Sequence, residues 1–111
     1  GVGQATGPRL PLALVPTTAG TGSEATPIAI VTVGEAEKKG VVADPLVPDI
    51  ACLDPALTVG LPRPVTAATG IDAMVHAIEA TTSARLRNPL SDALAREALR
   101  LLAGNLRRAC D

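Results

Sequence analysis

Two stretches of this sequence hold residue types whose spacing can do chemistry. In TGIDAMVHAIEA, residues 69–80, Asp72 and His76 stand four positions apart. On a helix that spacing places an oxygen donor and an imidazole nitrogen on one face, where both can reach a single divalent ion such as iron or zinc. Glu79 falls on the same stripe, and Ile71, Met74, Val75 and Ile78 form an apolar stripe beside it. Spacing alone leaves two readings open: a ligand pair, or the more frequent surface ion pair that only supports its helix. The second stretch is PTTAGTGSEATP, residues 16–27, directly after the apolar run LPLALV. Its hydroxyls offer neutral hydrogen bonds, and Gly20 and Gly22 loosen the backbone for close approach to a ligand. Composition equally fits a polar turn whose serine and threonine side chains bond their own backbone, which is the commoner outcome. The opening GVGQATG misses the G-x-G-x-x-G dinucleotide fingerprint by one residue and is not counted as one.

Strands and helices must carry these stretches. LPLALV at 10–15 reads as a short buried strand limited by Pro11, and IAIVTV at 28–33 as a β-branched strand. GEAEKKG at 34–40 reads as a polar turn and VVAD at 41–44 as the start of a returning strand, so a hairpin is expected. Pro45, Pro48 and Asp49 interrupt it, and IACLD at 50–54 is one more strand-like run closed by Pro55.

From about residue 58 the texture becomes helical. Pro62 and Pro64 fit only a first turn, and the chain from Val65 is alanine-rich with no proline until Pro89. A second helix is expected from an Asn88 cap and Pro89, with Leu90, Leu94, Ala98, Leu101 and Leu102 as its apolar face. Gly104 and Asn105 are expected to end or kink it. The composition changes from β-rich to α-rich near residues 57–61.

The 111 residues are 47% apolar, which excludes a disordered tail, yet there is no Phe, Tyr or Trp. A core of Leu, Val, Ile and Ala buries less area per side chain than aromatics would, so self-sufficient packing is not expected. A net charge of −1 without a basic patch or stacking aromatics argues against nucleic-acid binding. No run approaches the length of a spanning helix and no signal-peptide pattern is visible, so a soluble, cytoplasmic protein without a membrane partner is expected. Cys52 and Cys110 match neither a metal motif nor a disulfide scaffold and read as free thiols. A chain opening on Gly1 and closing on Arg-Arg-Ala-Cys-Asp reads as a piece of something longer.

PTTAGTGSEATP, Lys38 ahead of VVADPLVPD, LDPALT, TAATGIDAMVHAIEATTS and NPLSDALAREALRLL occur in that order and cover nearly the whole chain. Together they resemble segments of the iron-containing (group III) alcohol dehydrogenase family. The resemblance implies an α/β fragment: the end of an N-terminal Rossmann-like dinucleotide-binding domain over 1–58, then the first helices of an all-α C-terminal metal-binding domain over 59–111. It implies NAD- or NADP-linked interconversion of an alcohol and an aldehyde or ketone, with Fe2+ or Zn2+ as metal and homo-oligomeric assembly at full length.

Carried over residue by residue, the resemblance makes Asp72 and His76 metal ligands. Thr17, Thr18, Thr26, Ile28 and Lys38 become cofactor-binding positions, and Leu57 and Gly60 close over the cofactor from the linker. Glu79 matches no family ligand, and Thr81 stands where the family often has an aromatic. Gly70 within a helix implies close packing against the cofactor domain or a ligand. The family's glycine-rich pyrophosphate turn would precede Gly1 and two further metal-binding histidines would follow Asp111, so no turnover is expected from these residues alone. A maleylacetate reductase-like relative working without metal is the enzymatic alternative, disfavoured by the presence of both Asp72 and His76 and by the AGTGSE loop. A non-catalytic fragment that only packs or associates is the other.

Overall fold

The structure is a computed structural model that describes residue 3 and residues 7–111. Most of the GVGQATG opening therefore lies outside the described residues. The chain forms two compact units, one of Gly1–Thr17 with Gly22–Pro55 and one of Thr18–Thr21 with Ala56–Asp111.

The first unit holds four strands: β1 (Ala13–Leu14), β2 (Ile28–Val33), β3 (Glu37–Val42) and β4 (Ile50–Ala51). β2 and β3 form the expected antiparallel hairpin, from Ile28 opposite Val42 to Val33 opposite Glu37. β3 starts at Glu37, within the segment assigned to the turn from sequence. Gly34 adopts a left-handed φ of 64°, which reverses the chain within residues 34–36. Residues 30–40 are exposed, so the ribbon accommodates Glu37, Lys38 and Lys39 without burying a charge.

β1 and β4 pair in parallel, Ala13 opposite Ile50 and Leu14 opposite Ala51. Each is two residues long, far shorter than the runs 10–15 and 50–54 that suggested them. Prolines 11 and 16 bracket β1, and Pro48 and Pro55 bracket the β4 segment, each removing a ladder donor. Extra hydrogen bonds frame the pair: Asp49 N–H donates to the Leu12 carbonyl at 2.9 Å and Cys52 N–H to Leu14 at 2.9 Å.

The second unit contains α1 (Arg63–Thr82) and α2 (Pro89–Cys110). α1 takes Pro64 in its first turn as expected, and the N–H groups of Val65 and Thr66 bond the Pro62 carbonyl at 2.9 and 3.1 Å. At its other end the Thr81 hydroxyl donates back to the Ile78 carbonyl at 2.8 Å. α2 begins where the sequence places it: Asn88 Oδ1 accepts the Ser91 N–H at 3.0 Å, and Pro89 is the first helical residue.

Gly104 and Asn105 do not end α2, which continues to Cys110. A single interior glycine costs only about 1 kcal/mol. That is offset where the following turn packs, and here Leu106 lies against Gly70 of α1. Asn105 also stays within the helix by donating Nδ2 to the Leu101 carbonyl at 2.8 Å.

The helices run antiparallel, with Arg63 at the start of α1 bonded to Asp111 beyond the end of α2 at 2.9 Å. Their covered faces coincide with the apolar stripes only in part. On α1 the buried residues are Gly70 and Ala77, while Ile71, Val75 and Ile78 are exposed. On α2 Ala95 is buried and Ala98 and Leu102 are half-buried, while Leu90 and Leu94 remain 69% and 62% exposed. Gly70 leaves room for the Leu106 side chain of α2 to seat on the α1 backbone, while much of the bulky stripes stays exposed. Among the described residues the buried apolar positions are Ala43, Ala77 and Ala95, so the core is made of alanine. Cys52 and Cys110 are free thiols, and no described helix is long and apolar enough to cross a membrane.

Candidate metal and cofactor residues

The middle of α1 presents Asp72 and His76 on one face, His76 Nε2 lying 3.8 Å from Asp72 Oδ1. Both side chains are about half exposed, at 48% and 52%. The helix fixes this spacing, and Gly70 and Ala77 pack on a different face, leaving the pair directed away from α2. A gap of 3.8 Å is too long for a good hydrogen bond between the two groups and short enough for one cation to bridge with bonds of about 2.0–2.2 Å. The donor set, one carboxylate oxygen and one imidazole nitrogen, suits iron or zinc. Among the described residues no group of three or more His, Cys, Asp or Glu side chains gathers, so this chain offers two donors. Glu79 is exposed on the same stripe.

The loop of residues 16–27 divides between the units. Thr17 and Thr26 belong to the first, Thr18 to the second. Thr26 closes a single turn at Ser23–Ala25, its hydroxyl donating to the Ser23 carbonyl at 3.2 Å. This one hydroxyl follows the self-bonding turn reading, with its oxygen still able to accept.

The two loop glycines serve different ends. Gly22 has a left-handed φ of 63° and no atom within 4 Å of where a Cβ would stand, so it is needed for its dihedral. Gly20 has an ordinary φ but is pressed against α1, where a Cβ would overlap the Thr69 carbonyl. The close approach expected toward a ligand is at Gly20 an approach to a helix. Gly70 packs against Leu106 of α2.

Ile28 opens β2 opposite Val42, and Lys38 lies on β3 opposite Thr32 with its side chain exposed. Leu57 ends a short turn at Pro55–Leu57, and exposed Gly60 follows in the segment leading to α1. Within one unit the structure therefore brings Asp72 and His76 together and places Thr18, Leu57 and Gly60 in the same unit, while Thr17, Thr26, Ile28 and Lys38 lie in the other.

Two supporting contacts join residues remote in the sequence. Gly20 against Thr69 spans 49 positions of sequence and Arg9 with Asp49 spans 40, and no local pattern signals either pairing. The only trace of the first was a glycine in a loop already rich in small residues.

Residues 1–55 match the model of the iron-containing alcohol dehydrogenases, and residues 66–111 match that of the Fe-containing alcohol dehydrogenase family, C-terminal. The chain belongs to the iron-containing alcohol dehydrogenase family. Long-chain-alcohol dehydrogenase 1 of Geobacillus thermodenitrificans is 51% identical over 100 residues, covering 90% of this chain and 25% of the relative. The crystal structure of a 1,3-propanediol oxidoreductase superposes with a TM-score of 0.91 at 43% identity, over 99% of this chain and 29% of that one. Sulfoacetaldehyde reductase from Bifidobacterium kashiwanohense, solved in complex with NAD+, gives a TM-score of 0.86 at 36% identity, over 93% and 27%. The chain thus spans about a quarter of the length of the curated relatives it matches. Its strands followed by two helices are an α/β segment leading into a helical one.

Proposed function

We propose that the full-length protein is a metal-dependent, NAD(P)-linked oxidoreductase that interconverts an alcohol and an aldehyde or ketone by hydride transfer. The observation that carries this reading is the Asp72–His76 pair, two suitable donors 3.8 Å apart on one helix face, in a chain of this family. The similarity to alcohol and propanediol dehydrogenases and to an NAD+-bound reductase supports it.

Asp72 and His76 would hold the metal, iron or zinc, whose contribution when bound is Lewis-acid polarisation of the substrate oxygen. For that the His76 imidazole must be neutral at the ligating nitrogen, and the Asp72 carboxylate ionised. The nicotinamide would accept or return the hydride. Thr17 and Thr18 would hydrogen-bond the cofactor through neutral hydroxyls, and Thr26 would do so as an acceptor because its proton is engaged by Ser23. Lys38, exposed on β3, would offer positive charge to ribose or phosphate oxygens. Ile28, Leu57 and Gly60 would supply apolar and backbone surface, Leu57 being 46% exposed and so available for contact.

The test is metal removal from the full-length protein. Turnover of short alcohols and aldehydes, followed by nicotinamide absorbance, should vanish on chelation and return with Fe2+ or Zn2+. Turnover that survives complete chelation refutes the metal-dependent reading.

A further inference from the structure

We propose that Gly20 is a positioning residue: its bare α-carbon, seated against the Thr69 carbonyl, holds the Thr18–Thr21 tip of the loop to α1 and so sets where the loop stands relative to Asp72 and His76. The inference rests on the roles proposed for that loop and that pair.

The contact leaves no room for a side chain. A Cβ at Gly20 would overlap the Thr69 carbonyl oxygen and come within 2.6 Å of its carbon and 2.8 Å of the Thr69 Cβ. The obstacle is helix backbone, which cannot swing aside as the end of a flexible side chain can. The Thr69 hydroxyl is turned onto its own helix, donating to the Val65 and Thr66 carbonyls at 3.1 and 3.3 Å. The seat is therefore made by main chain and Cβ, independent of that hydroxyl.

Asp72 and His76 follow Thr69 by about one and two helical turns on a rigid rod. Ala19 lines the same concavity as Thr66, Gly70, Leu102 and Leu106, so the loop tip also meets the crossing of the two helices. The next residue of α1, Gly70, is buried against Leu106, so a shift of α1 away from a bulkier residue 20 also disturbs its packing on α2. A single methyl group at position 20 must then displace the loop or tilt the helix that carries both donors.

The experiment compares Gly20→Ala with Gly22→Ala in the full-length protein, using amide hydrogen exchange, metal content by mass spectrometry, and KM for the nicotinamide cofactor. Gly20→Ala should speed exchange across residues 69–76, lower retained metal, and raise cofactor KM roughly tenfold to a hundredfold. Gly22→Ala strains a left-handed dihedral in open space, so its faster exchange should stop within the loop and its metal should be retained. Wild-type exchange over 69–76, or wild-type metal content, in Gly20→Ala overturns the proposal.

Where Gly20→Ala yields no folded protein, the wild type decides. NAD+ added to the metal-free protein should slow exchange in 69–76 as well as in 17–22, and protection confined to the loop overturns the coupling. Protection in neither segment refutes the cofactor loop and the coupling together. Turnover that resists chelation refutes the metal reading alone and leaves the exchange data to judge the Gly20 seat.

Discussion

The Arg9 guanidinium grips both carboxylate oxygens of Asp49, Nη1 to Oδ2 at 2.5 Å and Nη2 to Oδ1 at 2.9 Å, and so ties together the segments that lead into β1 and β4. Asp49 Oδ2 also accepts the Leu12 N–H at 2.8 Å, while Arg9 Nη2 donates to the Val47 carbonyl at 3.0 Å. A parallel ladder two residues long has little register of its own, and this clamp supplies it.

The clamp has a pH signature. Hydrogen bonds from Arg9, and then from the Leu12 N–H, hold the Asp49 carboxyl at about 2, below its ordinary 3.8. A carboxyl whose value falls on folding stabilises the fold above its ordinary pKa, and that contribution disappears as pH drops from about 4 to about 2. The gap in melting temperature between wild type and Asp49→Asn should be constant near neutrality and close across that window. The gap should be small, because the Asp49 and Arg9 side chains are 50% and 31% exposed. A gap that persists unchanged to pH 2 refutes the assignment.

His76→Ala should lower bound metal and turnover together. Loss of an outer partner of a metal ligand typically costs 10- to 100-fold, and loss of a ligand itself should cost at least about 100-fold in turnover. Metal content and dehydrogenase rate measured on one preparation check this, and a variant retaining both at wild-type levels removes His76 from the site.

Gly22→Val should raise KM for the nicotinamide cofactor more than KM for the alcohol. Space around the position is open, so the cause is the left-handed φ of 63°, which a β-branched residue adopts only at a cost of roughly 1–2 kcal/mol or by reshaping the loop. Equal changes in the two constants would separate the loop from the cofactor.

Asn88→Ala should lower stability by about 1 kcal/mol through loss of the bond its Oδ1 accepts from Ser91 N–H. Denaturant unfolding reads this directly, and Asn88→Asp should restore most of the loss because aspartate caps equally well.

Elements with local causes are legible in the sequence. The Asn88–Pro89 start of α2, the proline-bearing first turn of α1, the presence of a hairpin beginning with β2, though not the Glu37 start of β3, and the i, i+4 relation of Asp72 to His76 each follow from neighbouring residues and backbone preferences. The sequence also carried the family, because several motifs stand in order along the chain. Tertiary structure alone decided which faces meet. Apolar periodicity on α1 marked Ile71, Val75 and Ile78, yet the buried residues are Gly70 and Ala77, since which face is covered depends on where α2 lies, with Leu106 seated on Gly70. The same physics carries α2 through Gly104, where packing of Leu106 outweighs a glycine's propensity cost. Gly20 against Thr69 and Arg9 with Asp49 join residues 40 or more positions apart, and no local preference encodes a contact that exists only once the chain has closed on itself.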